Sequence, residues 1–146
     1  MKRLAVFIAT AGPFGYSPVA SGTMGTMAAV PIAALLCHAA WQWQLAILVP
    51  LYFLFVWAAA VAEEHFGRVD PGEVVCDEVL GYMVGMFALP PDSAHLALCF
   101  LLFRAFDVIK PWPIRWVDRK IPSGWGIVSD DVMAGIFTQI LMRIIL

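Results

Sequence analysis

Residues 24–40, 44–62, 74–90 and 94–110 are four apolar stretches, each about the roughly 17–25 residues a helix needs to cross a hydrocarbon core. A fifth, 131–146, closes the chain and is of near-spanning length. The chain is 62% hydrophobic and 14% charged, against about 45–50% and 25% in ordinary soluble domains. A soluble domain of this size could not hide that much apolar side chain, because its surface must tolerate water. The stretches therefore predict an all-α polytopic membrane protein, with about four to five membrane-inserted helices in one compact bundle. That bundle forms a single integral-membrane domain over 1–146. The WQWQ run at 41–44 is an amphipathic aromatic anchor of the interfacial kind, and PPDS at 90–93 reads as a tight turn. The opening MKRLAVFIATAG has an apolar run at the short limit for a secretory signal, and reads as a short inserted segment.

The basic residues set an orientation. With Lys2 and Arg3 in the cytoplasm and alternating spans, Arg68, Lys110, Arg115, Arg119 and Lys120 all fall on the cytoplasmic side. Only Arg143 lies towards the other face. Asp77 and Glu78 then start the third span, Arg104, Asp107 and Lys110 end the fourth, and Asp130 and Asp131 start the last, all at one membrane face. Helix dipoles favour acids at N-termini and bases at C-termini, so simple capping accounts for part of this.

Capping does not require acids in adjacent pairs. Asp77–Glu78 and Asp130–Asp131 would each repel, and need a cation to offset the repulsion. Hard divalent ions such as Mg²⁺ take carboxylate oxygens, often together with substrate phosphates. Arg104 and Asp107 share a helix face at the membrane margin, where ionisable groups are functional candidates. Arginine and lysine beside such acids suit a phosphate, so a phosphorylated ligand between cations and a metal is the chemistry expected. The small-residue stretch GYSPVASGTMGTMAAVP, with Gly22, Thr23 and Gly25, suits either an anion at a helix start or close helix packing. Gly81 and Gly85 form a GxxxG read as packing. Cys37, Cys76 and Cys99 are spaced as small core hydrophobes, with neither a disulfide framework nor a zinc pattern.

Eliminations narrow the chemistry. No cysteine-plus-phosphate-loop pattern is present, and Pro122-Ser123-Gly124 is followed by Trp125 rather than histidine. DxDxT/V and the CDP-alcohol transferase signature are absent. A small transporter or ion-conducting protein, with intramembrane acids binding a cation, is the alternative from another class.

Three blocks, SPVASGTMGTMAAVP (17–31), CDEVLGYMVGMFALP (76–90) and FRAFDVIKPWPIRWVDRKIPSGWGIVSDDVMAG (103–135), resemble the phosphatidylglycerophosphatase A family. Ser123 stands where glycine is common and Val128 where methionine is expected. The resemblance implies a Mg²⁺-dependent lipid phosphatase of the bacterial inner membrane, multi-pass, with its site facing the cytoplasm. Its expected partners are phosphatidylglycerophosphate, which it would hydrolyse to phosphatidylglycerol, and membrane lipids, with no nucleic acid. It assigns Asp77, Glu78, Asp130 and Asp131 as metal ligands or water-activating bases, with Asp107 orienting Arg104 or joining the metal shell. Arg104, Lys110, Arg115 and Arg119 would bind the phosphate, completed by Thr23 and the Gly22 and Gly25 backbone. Asp118 would orient Arg115 or Arg119, and Trp112 and Trp116 would anchor at the interface.

Overall fold

Prolines and glycines divide the chain into seven helices and no strand, in a computed structural model that describes residues 1–146. The helices are α1 (Lys2–Ala9), α2 (Ser21–Leu36), α3 (Trp41–Phe66), α4 (Cys76–Gly85), α5 (Ser93–Ile109), α6 (Ile114–Lys120) and α7 (Ser123–Ile145), with a single 3₁₀ turn at Phe14–Tyr16.

Of these, α3 alone is long and apolar enough to cross a membrane by length and composition, with 26 residues and a mean hydropathy of 2.4. At 1.5 Å per residue it runs about 39 Å, more than the roughly 30 Å of hydrocarbon. One side of it exposes Trp43, Val49 and Phe53, which in water would be an unfavourable surface. The apolar α2 is shorter, at 16 residues, and α5 has 17. The expected third span, 74–90, contains only a 10-residue helix, α4. Its length is about 15 Å, and it lies in the centre of the fold with eight of its residues buried.

The packing of α4 on α7 organises everything else. A Cβ at Gly81 would lie 2.6 Å from the Asp131 carbonyl oxygen and 2.6 Å from the Phe103 ring. A Cβ at Gly135 would strike the Gly81 carbonyl. Glycine at both places lets the two backbones approach closely, as small residues do between membrane helices. The last helix begins at Ser123 rather than near 131, so Asp130 and Asp131 sit two turns inside it. Gly124 and Gly126 allow that earlier start, because a side chain at either would collide with the carbonyl of Val56 or Ile121.

Around this pair the core closes with Leu80, Tyr82, Met86, Phe103 and Met142, all essentially inaccessible. The Tyr82 hydroxyl donates to the Leu96 carbonyl at 2.9 Å, so its polar tip is satisfied where its ring is buried. The three cysteines are free thiols, Cys76 and Cys99 buried within the core. The end opposite the charged face is tied by side-chain amides. Gln44 accepts from the Ala88 amide at 2.9 Å, and Gln139 donates to the Phe87 carbonyl at 2.8 Å.

Candidate active site

Four segments deliver the chain's paired charges to one place. Asp77 and Glu78 lie in the first turn of α4, where the positive end of the helix dipole favours carboxylates. Arg104 and Asp107 come from the last turns of α5, and Lys110 caps that helix in a left-handed conformation with φ of 47°. Asp130 and Asp131 come from α7, and the loop before α4 adds Asp70 and Gly72. Together they line a cavity of about 240 Å³, with Ser21 from the start of α2 at its edge. The Ser21 hydroxyl donates to the Gly72 carbonyl at 2.6 Å, which ties that loop to α2.

Six carboxyl groups line the cavity: Asp70, Asp77, Glu78, Asp107, Asp130 and Asp131. Only two cations, Arg104 and Lys110, face them. Both cations are committed. Arg104 donates to Asp107 and lies 3.8 Å from Glu78, while Lys110 donates to Asp130 and stands 3.4 Å from Asp118. That leaves a residue of acids. Asp77, Glu78 and Asp131 each offer an oxygen within 4.8 Å of the others. Asp77 Oδ1, Glu78 Oε2 and Asp131 Oδ2 are buried with no hydrogen-bond partner. An unpaired buried carboxylate costs several kcal/mol, and three together repel. Oxygen donors in that arrangement match a hard divalent cation.

The four-carboxylate grouping expected from the sequence therefore divides. Asp77, Glu78 and Asp131 form the triad, and Asp130 turns to Lys110 instead, with its Oδ1 also accepting from the Asp131 amide at 3.0 Å. Asp107 pairs with Arg104, one of the two roles expected for it. Asp118 reaches Lys110 rather than Arg115 or Arg119, because α6 turns its acid back towards the α5 terminus.

The small-residue stretch also divides. A side chain at Gly22 would strike the Glu78 carboxylate and come 3.1 Å from Arg104 Nη1, so this glycine makes room for the charged groups. Gly25 instead packs on Val75, and Thr23 is not among the cavity's lining residues. Arg115 and Arg119 lie outside the cavity too. They line a second, larger cleft of about 460 Å³ beside α6.

Ser21 belongs to the small-residue stretch already singled out in the sequence, whereas Asp70 is a cavity residue that nothing in the sequence pattern marked. Asp70 stands before a proline, a spacing that reads as an ordinary turn, and the signal available was only its nearness to Asp77. Withdrawal from water raises the Asp70 carboxyl above its usual range, an effect the Lys110 ammonium partly offsets.

The family model described as phosphatidylglycerophosphatase A matches residues 7–146. "Phosphatidylglycerophosphatase A" of Escherichia coli (strain K12) is 37% identical over 125 residues, covering 85% of this chain and 73% of that protein. "Putative phosphatidylinositol-3-phosphatase" of Bacteroides thetaiotaomicron is 36% identical over 155 residues, covering 99% and 96%. "Phosphatidylglycerophosphatase A" of Haemophilus influenzae is 34% identical over 125 residues, covering 84% and 77%. No solved structure matches the chain. A family match over nearly the whole sequence, in a chain whose carboxylates and cations meet in one cavity, makes this chain a member of the phosphatidylglycerophosphatase A family.

Proposed function

We propose that the protein is a Mg²⁺-dependent membrane lipid phosphatase that hydrolyses the terminal phosphate of phosphatidylglycerophosphate, giving phosphatidylglycerol and phosphate. The observation that carries this reading is the set of three orphaned carboxylate oxygens, beside two cations in one cavity. Asp77, Glu78 and Asp131 would hold the ion. A divalent ion there supplies Lewis acidity towards a phosphoryl oxygen and lowers the pKa of a bound water.

The chain's own groups do the rest. The Arg104 guanidinium can take two oxygens of a phosphate at once, and the Lys110 ammonium adds a point charge. Both stabilise the negative charge that develops as the phosphorus–oxygen bond breaks, an interaction worth about 10²–10³ in rate for one such donor. Asp107 and Asp130 keep the two cations aimed into the cavity, so little reorganisation is needed when substrate arrives. The nucleophile we favour is water.

The charged face belongs at the cytoplasmic side of the bacterial inner membrane, with the apolar helices inserted as a multi-pass bundle. The exposed apolar side of α3 and the concentration of basic residues at one end support that orientation. The lipid named by the Bacteroides relative has an inositol headgroup rather than glycerol. It too carries a phosphate monoester on a polyol that a phosphodiester joins to diacylglycerol.

Purified protein in detergent–lipid micelles should release phosphate from phosphatidylglycerophosphate, stop with EDTA and resume with Mg²⁺. Absence of release under all conditions, together with a cation flux in vesicles, would replace the hydrolase with a transporter.

A further inference from the structure

The cleft beside α6 has no carboxylate among its lining residues. Lys110, Trp112, Arg115, Trp116, Arg119 and Lys120 dominate its walls. Arg115, Arg119 and Lys120 have no ion-pair partner anywhere in the structure. Arg115 uses one N–H on the Ile109 carbonyl at 3.3 Å, which steadies it and leaves its remaining donors free. Asp118, the one acid on α6, stands 3.4 Å from Lys110 and is not among the cleft's lining residues. Three uncompensated cations in a concave site are built for an anion. Trp112 is 82% exposed and Trp116 53%, and indole rings favour the membrane–water interface, the level of lipid headgroup phosphates. Lys110 lines this cleft and the carboxylate cavity alike, so the two sites adjoin at one side chain.

We infer that the α6 cleft binds the phosphodiester of the substrate while its terminal monoester occupies the carboxylate cavity. This rests on the function proposed above and adds what that function leaves open, namely how the enzyme selects its lipid. Phosphatidylglycerophosphate has two phosphates separated by a glycerol, and two adjoining anion sites of different character read both. The first is purely cationic and binds without reacting. The second combines cations with the acidic triad, and is where hydrolysis occurs. Phosphatidic acid has its only phosphate joined directly to diacylglycerol. With that phosphate in the cavity, the cleft's exposed arginines face no anion, and such a substrate forgoes the charge-assisted hydrogen bonds that the diester would make there.

The test compares phosphate release from phosphatidylglycerophosphate and from phosphatidic acid by the full chain in micelles. Wild type should prefer the first by about tenfold or more in kcat/KM, the scale of a lost charged hydrogen bond. The double variant R115Q/R119Q should raise KM for phosphatidylglycerophosphate with less change in kcat, the pattern of lost uniform binding, and should narrow the preference by a similar factor. R115K/R119K, which keeps charge without the planar fork, should fall between. Phosphatidylglycerol, which keeps only the diester, should inhibit wild type competitively and the glutamine variant more weakly. An unchanged preference ratio overturns the inference, and so does an equal fall on both lipids or unaltered product inhibition. A wild-type protein inactive on both lipids fails the proposed function first and the inference with it. Activity without preference fails the inference alone.

Discussion

The Lys110 ammonium at the end of α5 donates to the Asp130 carboxylate inside α7, and this bond separates Asp130 in role from its neighbour Asp131. The two acids are adjacent on one helix, yet one pairs with a cation and the other belongs to the orphaned triad. Their substitutions should behave differently.

Asp131→Asn, Asp77→Asn and Glu78→Gln each remove a proposed ion ligand, and should lower Mg²⁺-stimulated phosphate release by about 10³-fold or more. Asp130→Asn leaves the triad intact and only loosens Lys110. A loss of about 10–100-fold is expected there, the scale seen when a supporting group is removed, with the Mg²⁺ midpoint little changed. Phosphate release titrated with Mg²⁺ after EDTA treatment distinguishes the two classes.

The triad should also be visible without turnover. Metal at a hundred times its Kd adds about 2.7 kcal/mol to the folded state, and for a chain of this length each kcal/mol moves the melting temperature by about 2–4 °C. Mg²⁺ should therefore raise the melting temperature of EDTA-treated protein. Asp131→Asn should raise the metal-free value and abolish the Mg²⁺ response, since it removes one of three repelling carboxylates. Thermal melting with and without Mg²⁺ checks both.

Gly22 and Gly135 separate site from scaffold. Gly22→Ala sets a methyl against Glu78 and Arg104, and should reduce activity while the protein stays folded. Gly135→Val drives a branched side chain into the Gly81 carbonyl, so α4 and α7 must part. Overpacking of this kind costs about 1–3 kcal/mol or more, and a fall in folded yield and melting temperature is the expected readout.

Asp92 provides a pH signature away from the site. It caps α5, accepting from the Ala94 and His95 amides at 3.0 Å each, with its other oxygen 2.7 Å from His95 Nδ1. The His95 amide bond is the chief cause of a carboxyl held below its ordinary value. Its folded pKa is thus lower than its unfolded one, so its stabilising contribution is complete above the unfolded value of about 3.9 and disappears as pH falls through the lower folded value. Asp92→Ala should melt below wild type at pH 7, and the gap should close in acid.

Much of the site can be read from the sequence because adjacent acids are anomalous in so apolar a chain. Asp77–Glu78 and Asp130–Asp131 stand out as adjacent acids opening apolar stretches, unlike Glu63–Glu64, which lies outside the cavity, and Arg104, Asp107 and Lys110 stand out by sharing one helix end. Hydropathy located α2, α3 and α5 to within a few residues, since each is a nearly continuous apolar run. It misjudged α4 and the start of α7. In the 74–90 stretch apolar character reflects burial inside the fold as much as length, and at 123–130 two glycines and two serines hide a helix that tertiary contacts stabilise.

Composition and spacing are enough to make this chain helical and to show that its charges are concentrated, whereas the excess of acids over cations in the cavity emerges only from the packing. Which acid meets which cation was decided only when the helices packed. Asp130 and Asp131 are equivalent as letters, but α7 presents one to Lys110 and the other to Asp77 and Glu78. Distance makes the difference. A charge-assisted hydrogen bond needs its partners within about 3 Å, and that closeness is set by glycine contacts between α4 and α7 that no local pattern of charge encodes.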